Sequence, residues 1–322
     1  MRNGTLAVAA MLVHLLCRTA AADLLTPLSS DAPKVKKPRH GMQMTIGPVD
    51  VPHGSEITQC TYFKNPNPKD MAVGRVRIQV QGGSHHVHLY RPVDPNMSVP
   101  DGHETCNFAL NFDQWQLIFA SQNVTLDWKL PRGVAIMLRG GEQYVAQTHF
   151  VDNGLLATPD PGWATFNIYS MKRKKVKSFA GAFFGQDRDV VVPPHSESFA
   201  TTRCVFPRPV KLLALTGHYH FRGKEFTVNT WDGTTTGEQL YKFEGYTEPV
   251  FERYSGKFQP EVQGLEWTCR YENDTDTQFT FGPFTDQNEH CNLFGFYYPT
   301  LGENEFMTCV QKDHVVTVKV TQ

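Results

Sequence analysis

Along most of the chain, apolar and polar residues alternate with a period of two. Val76, Ile78 and Val80 alternate with Arg75, Arg77 and Gln79, the mark of a strand with one face on a core. The same period recurs in Val134–Leu138, Leu265–Cys269 and Val316–Val320. No segment carries apolar residues at the 3.6-residue period of an amphipathic helix. The 21 prolines and 25 glycines supply turns between short strands. Strands of this kind pack as antiparallel β-sandwich, jelly-roll-like domains, so an all-β chain is predicted.

A length of 322 residues suits two such domains in tandem. Residues 1–22 read as a signal peptide: Arg2, an apolar run from Leu6 to Leu16, and Ala20-Ala21-Ala22 ahead of cleavage before Asp23. The run is too short to span a bilayer, and no later stretch reaches that length, so no membrane anchor is expected. Residues 23–44 carry Pro and Lys without periodicity and read as a loose arm. The first domain is placed at residues 45–171, ending in a strand over Ala164–Ser170. A basic linker follows at 172–178, and the second domain, at 179–322, opens with the apolar run Phe179–Phe184.

Charge excludes some partners. With 31 basic and 32 acidic residues the net charge is −1, which offers no footprint for nucleic acid or an anionic membrane. The cluster Lys172–Lys177 reads as a solvated connector. Seven cysteines become six once Cys17 leaves with the signal, and an even number in an exported chain reads as three disulfides. Spacing leaves their pairing open, and the lack of CxxC pairs argues against a cysteine-type zinc site. Asn96-Met97-Ser98, Asn123-Val124-Thr125 and Asn273-Asp274-Thr275 are glycosylation tripeptides, as expected of a secreted glycoprotein.

The 13 histidines carry the chemistry. In His218-Tyr219-His220 the two imidazoles project from one side of a strand, one pleat apart, and can reach one ion. His290, beside Cys291, can supply a third ligand. His85-His86 would ordinarily face opposite ways, so joint ligation needs a twist or bulge, which Gly82-Gly83 can provide. His149 follows Gln147-Thr148 on a further strand. His88 is a candidate supporting residue and His103 is unassigned, while His14, His40, His53, His195 and His314 read as ordinary residues. Imidazole without thiolate or carboxylate favours copper or zinc, and spacing alone does not choose between them.

These motifs resemble the type II copper monooxygenases, the family of peptidylglycine α-hydroxylating monooxygenase and dopamine β-hydroxylase. The resemblance runs from about Met44 to Val310. Thr45–Val49 is similar to the family's opening segment, Ser84-His85-His86 to its HH motif and Gln147–Phe150 to its QxHY motif. His218–Lys224 resembles HxHxxGK, Glu289–Phe294 with Tyr297-Tyr298 resembles EMCNLY…YY, and Phe306–Cys309 resembles FMTC.

The resemblance implies two copper ions on separate domains facing an interdomain cleft, with ascorbate as reductant and oxygen as co-substrate for C–H hydroxylation. His85, His86 and His149 would hold the electron-donating copper, and His218, His220 and His290 the oxygen-binding one. It also implies the pairs Cys60–Cys106, Cys204–Cys309 and Cys269–Cys291. Two positions depart from the family. His290 stands where the family has methionine, and a third imidazole is a harder donor than a thioether. Thr216 and Phe294 stand where the peptide-amidating branch clamps a carboxylate with arginine and tyrosine, leaving only Asn292 of that set. Without the guanidinium, a peptidylglycine is not the expected substrate. The leading expectation is a secreted copper monooxygenase acting on a small molecule or peptide. A copper-binding protein that has lost turnover, and a zinc-stabilised binding module, are the alternatives.

Overall fold

The computed structural model describes residues 34–81, 83–106, 111–152, 161–256 and 259–322. The signal-peptide reading lies outside them. Among the described residues there is no α-helix, and no helix is long and apolar enough to cross a membrane. The chain is all-β, built mainly of antiparallel sheets.

The strand Met71–Gln81 shows the period-two reading directly: Val76, Ile78 and Val80 are buried while Arg75, Arg77 and Gln79 stay half-exposed. It is central in a six-stranded sheet with Gly41–Val49, Gly162–Met171, Val134–Leu138, Ser178–Phe179 and Thr125–Lys129. A five-stranded sheet packs with it, in the order Gly102–Thr105, Glu56–Lys64, Gln143–Val151, Ser84–Pro92 and Trp115–Ser121. The N-terminal half is therefore a sandwich with its core between two sheets.

The C-terminal half is organised by one long strand, Ser196–His218. Its first part pairs with Glu261–Asn273 and its last part with Cys291–Tyr298, with a register break between Val205 and Val210. Pro207 and Pro209 fall inside that break, where they cannot donate to a ladder. The nine-stranded sheet encloses a second core around Trp267, Phe226 and Tyr271.

Two sequence expectations shift in detail. Gly41–Met44, read as part of a loose arm, belong to the first strand, which pairs with Gly162–Met171 and buries Met42 and Met44. The alternation of Met42, Met44 and Ile46 carried that signal beneath the nearby Lys and Pro residues. Ser178–Phe179 pairs in parallel with Val134–Leu138, so the chain leaves the N-terminal sheet only at Gly181–Asp187.

The halves share an apolar seam. Phe184, Phe294, Phe296 and Phe306 of the second half lie in the same core cluster as Trp128 and Ile78 of the first. Trp128 meets Phe296 with ring centroids 4.7 Å apart, and Phe112 meets Phe184 at the same separation. Cys60–Cys106, Cys204–Cys309 and Cys269–Cys291 are disulfide-bonded, the pairing the resemblance implied. Of the glycosylation tripeptides, Asn96 is exposed. Asn273 is not an available acceptor: it is buried, and its amide donates to the carbonyls of Pro193 and Thr277 at 2.8 Å.

Candidate metal centre

The strand Ser84–Pro92 brings His85 and His86 together by a local irregularity. Pairing with Gln143–Val151 slips between Ser84 and His86, so His85 bulges and both imidazoles reach one region. Gly83 makes this possible. Its φ is +63°, and a Cβ there would lie 2.3 Å from the Val151 carbonyl oxygen. The Nδ1 atoms of His85 and His86 end 3.2 Å apart. His86 is paired directly across the ladder with His149.

On the other half, the strand Ser196–His218 ends at His218, and the chain turns through Tyr219 and His220 to Gly223. Tyr219 is buried on the far side, against Phe226, which leaves His218 and His220 with ring centroids 5.4 Å apart. His290 immediately precedes the strand Cys291–Tyr298 and is anchored by the neighbouring disulfide to Cys269. Its ring lies 4.2 Å from that of His220 and 5.6 Å from that of His218.

The two sets do not stand apart across a cleft: His85 touches His218 at a centroid separation of 4.8 Å and His220 at 5.7 Å. Among the described residues, the ligand nitrogens of His218, His220 and His290 lie within 4.8 Å of one another, and so do those of His85, His86 and His218. His149 keeps ring contact with His85 at 4.9 Å and His86 at 5.1 Å but is in neither group. Its Nε2 faces Glu56 Oε2, 2.9 Å away.

Electrostatics keep the cluster ready to ligate. Burial, reinforced by neighbouring imidazoles, holds His85, His86, His218, His220 and His290 well below the ordinary histidine range, so they are neutral near pH 7. His220 Nδ1 faces the Asn288 carbonyl at 3.1 Å, which leaves Nε2 for an ion. Below it the Glu289 carboxylate accepts the backbone N–H groups of His220 at 3.0 Å and Arg222 at 2.8 Å. Burial raises the Glu289 pKa to about 7, even with those bonds and Arg222 working against it. His290 Nδ1 is buried with no hydrogen-bond partner. An orphaned nitrogen among neutral imidazoles fits a metal ligand, because leaving such an atom unpaired otherwise costs about 1–3 kcal/mol.

Both ring nitrogens of His88 are engaged by neighbouring side chains. Its Nδ1 meets the Tyr90 hydroxyl and its Nε2 the Gln122 amide, both at 3.0 Å, and it stacks on His86 at 4.3 Å. Burial pushes its pKa down to about 3.

Two cavities reach the cluster, and His218 lines both. One, of about 240 Å³, exposes His85 beside Gln122 and Tyr246. The other, of about 360 Å³, exposes His86, His149 and His290 and is walled by Phe184, Phe281, Phe294, Asn292 and Arg188. Phe294 and Asn292 line the larger cavity. Thr216 does not: it is fully buried and lines neither cavity. Glu56, Gln122 and Arg188 were not singled out from the sequence. Each belongs to the site through pairing or packing across the fold, and none carries a local motif.

The Cys269–Cys291 bridge closes a short loop directly behind His290. Replacing both cysteines by alanine is expected to cost roughly 3 kcal/mol in denaturant unfolding and to weaken metal binding at His290. Unchanged stability would show that the bridge does not constrain this segment.

Residues 184–320 match the family model described as copper type II ascorbate-dependent monooxygenase, C-terminal domain. No curated protein matches the chain. Among solved structures, the crystal structure of the STIV MCP overlaps at 8% identity and TM-score 0.29, covering 79% of this chain and 94% of that one. PBCV-1 VP54, fitted into a reconstruction of the virophage Sputnik, overlaps at 10% identity and TM-score 0.25, covering 79% and 92%. Overlaps this loose carry no argument about fold or function. The family match, by contrast, spans His218, His220 and His290 and the cysteines Cys204, Cys269, Cys291 and Cys309. Residues 184–320 are thus similar to the C-terminal domain of the copper type II ascorbate-dependent monooxygenases.

Proposed function

We propose that the protein is an exported copper-dependent monooxygenase that hydroxylates a substrate C–H bond using oxygen and ascorbate. The carrying observation is the convergence of five neutral imidazoles, with the orphaned Nδ1 of His290 among them, beside a cavity large enough for a small ligand. In this reading His218, His220 and His290 hold the oxygen-binding copper, and His85, His86 and His149 hold the electron-donating one. When bound, copper supplies one-electron chemistry with oxygen that no side chain here can supply. The protein's own residues orient the imidazoles: Asn288 fixes His220, Glu56 fixes His149, and His88 packs against His86. Phe184, Phe281 and Phe294 offer an aromatic or apolar substrate body a dry wall, with Asn292 as a hydrogen-bonding partner. A peptidylglycine lacks its expected clamp, since position 216 is a buried threonine. The disulfides fit an exported chain, and exposed Asn96 is the best placed glycan acceptor.

His290 favours a second reading, a copper-binding protein on the same scaffold with impaired turnover, because three imidazoles favour Cu(I) less than two imidazoles and a thioether. Metal analysis of protein purified from its exporting host is expected to find copper. Zinc alone would leave only a zinc-stabilised module. The substitution His290→Met is expected to raise ascorbate-driven oxygen uptake, since a flexible thioether of similar size suits Cu(I). If the natural form is as fast or faster, histidine is a working ligand here and the impaired reading falls.

A further inference from the structure

Glu56 lies in the strand Glu56–Lys64 of the N-terminal half, and its carboxylate makes contacts in both halves. Oε2 accepts from His149 Nε2 at 2.9 Å and from the Thr285 hydroxyl at 3.0 Å. Oε1 accepts the Thr285 backbone N–H at 3.2 Å. Thr285 is buried and opens the segment that runs to Asn288, Glu289 and His290. That segment sets the other metal group: the Asn288 carbonyl faces His220 Nδ1, and Glu289 holds the backbone of His220. A single carboxylate therefore touches a histidine of one set and the loop that positions the other.

We propose that Glu56 is a positioning residue that orients His149 toward the histidine cluster and clamps the Thr285–His290 segment against it. A carboxylate that accepts from one imidazole nitrogen fixes the tautomer and ring direction and makes the other nitrogen a better donor. The same carboxylate satisfies the two Thr285 donors, which would otherwise be buried without partners. The effect is local, because the apolar seam around Trp128 and Phe296 holds the halves together independently. The copper part of the inference rests on His149 being a ligand; the clamp on Thr285 does not.

The test compares wild type, Glu56→Ala and Glu56→Gln in the full exported chain. In metal-free protein, hydrogen exchange at the Thr285 amide is expected to quicken at least tenfold in Glu56→Ala, while core amides such as Ala146 keep their protection. Glu56→Gln, which retains one acceptor oxygen, is expected to fall between. Copper(II) titration followed by electron paramagnetic resonance is expected to show one of two sites weakened about 10–100-fold, with an altered nitrogen-coupling pattern. Unchanged Thr285 exchange in Glu56→Ala overturns the proposal, as does equal acceleration at every core amide, which would mean mere destabilisation. Lost Thr285 protection in a protein whose wild type binds no copper would uphold the clamp and overturn the copper reading instead.

Discussion

Replacing His218 by alanine is expected to abolish ascorbate-driven oxygen uptake and to lower copper affinity by at least about 100-fold, beyond what loss of a supporting residue costs. His218 is the one histidine shared by both groups of converging ligand nitrogens among the described residues, and it lines both cavities. Truncating it removes a donor from both groups of converging nitrogens and the closest cross-half ring contact of His85. Copper per chain after dialysis is the readout, with His103→Ala, on an exposed strand, as a control expected to retain its copper. Full copper retention by His218→Ala would mean that the ion sits elsewhere.

The second large effect is on stability in acid. Six imidazoles, those of His85, His86, His88, His218, His220 and His290, have their pKa values lowered in the fold, chiefly by desolvation. A lowered histidine pKa means that the unfolded chain binds more protons, so stability falls as pH drops below about 6.5. An imidazole that stays neutral in the fold costs roughly 1 kcal/mol over the first unit below that pH. The six together can approach about 6 kcal/mol, on the scale of a domain's whole stability of about 5–15 kcal/mol. Chelator-treated protein is therefore expected to unfold in much less urea at pH 5.5 than at pH 7.5, and bound copper should offset part of the loss. A flat dependence between those pH values would show that the imidazoles are not kept neutral by the fold.

Much of the architecture was legible because it rests on a short-range rule. Alternation in Val76, Ile78 and Val80 identified a half-buried strand directly, and the HxH spacing of His218 and His220 identified two imidazoles on one side. The bulge at His85 was legible for the same reason, since adjacent histidines can share an ion only if the ladder slips beside a glycine. What the sequence hid is relational. Thr216 was placed at the substrate by motif position, yet packing buries it completely. Glu56 lies 93 residues from His149, and nothing local to it signals the bond that forms once the two strands pair. The ring contact between His85 and His218 was equally out of reach, because the packing of the two halves sets it and no spacing within either half encodes it. Asn273 shows the converse, a correct tripeptide whose side chain the fold has committed to a turn.

Copper on these histidines is expected to drive ascorbate-dependent oxygen chemistry. Steady-state oxygen consumption with ascorbate, in the presence of catalase and a panel of small aromatic compounds, tests it most directly. Uptake is expected to require copper loading, to be coupled to a hydroxylated product carrying oxygen from O₂, and to disappear in both His86→Ala and His290→Ala. Uptake no greater than that of free copper at the same concentration, or uptake that persists in both variants, would contradict it.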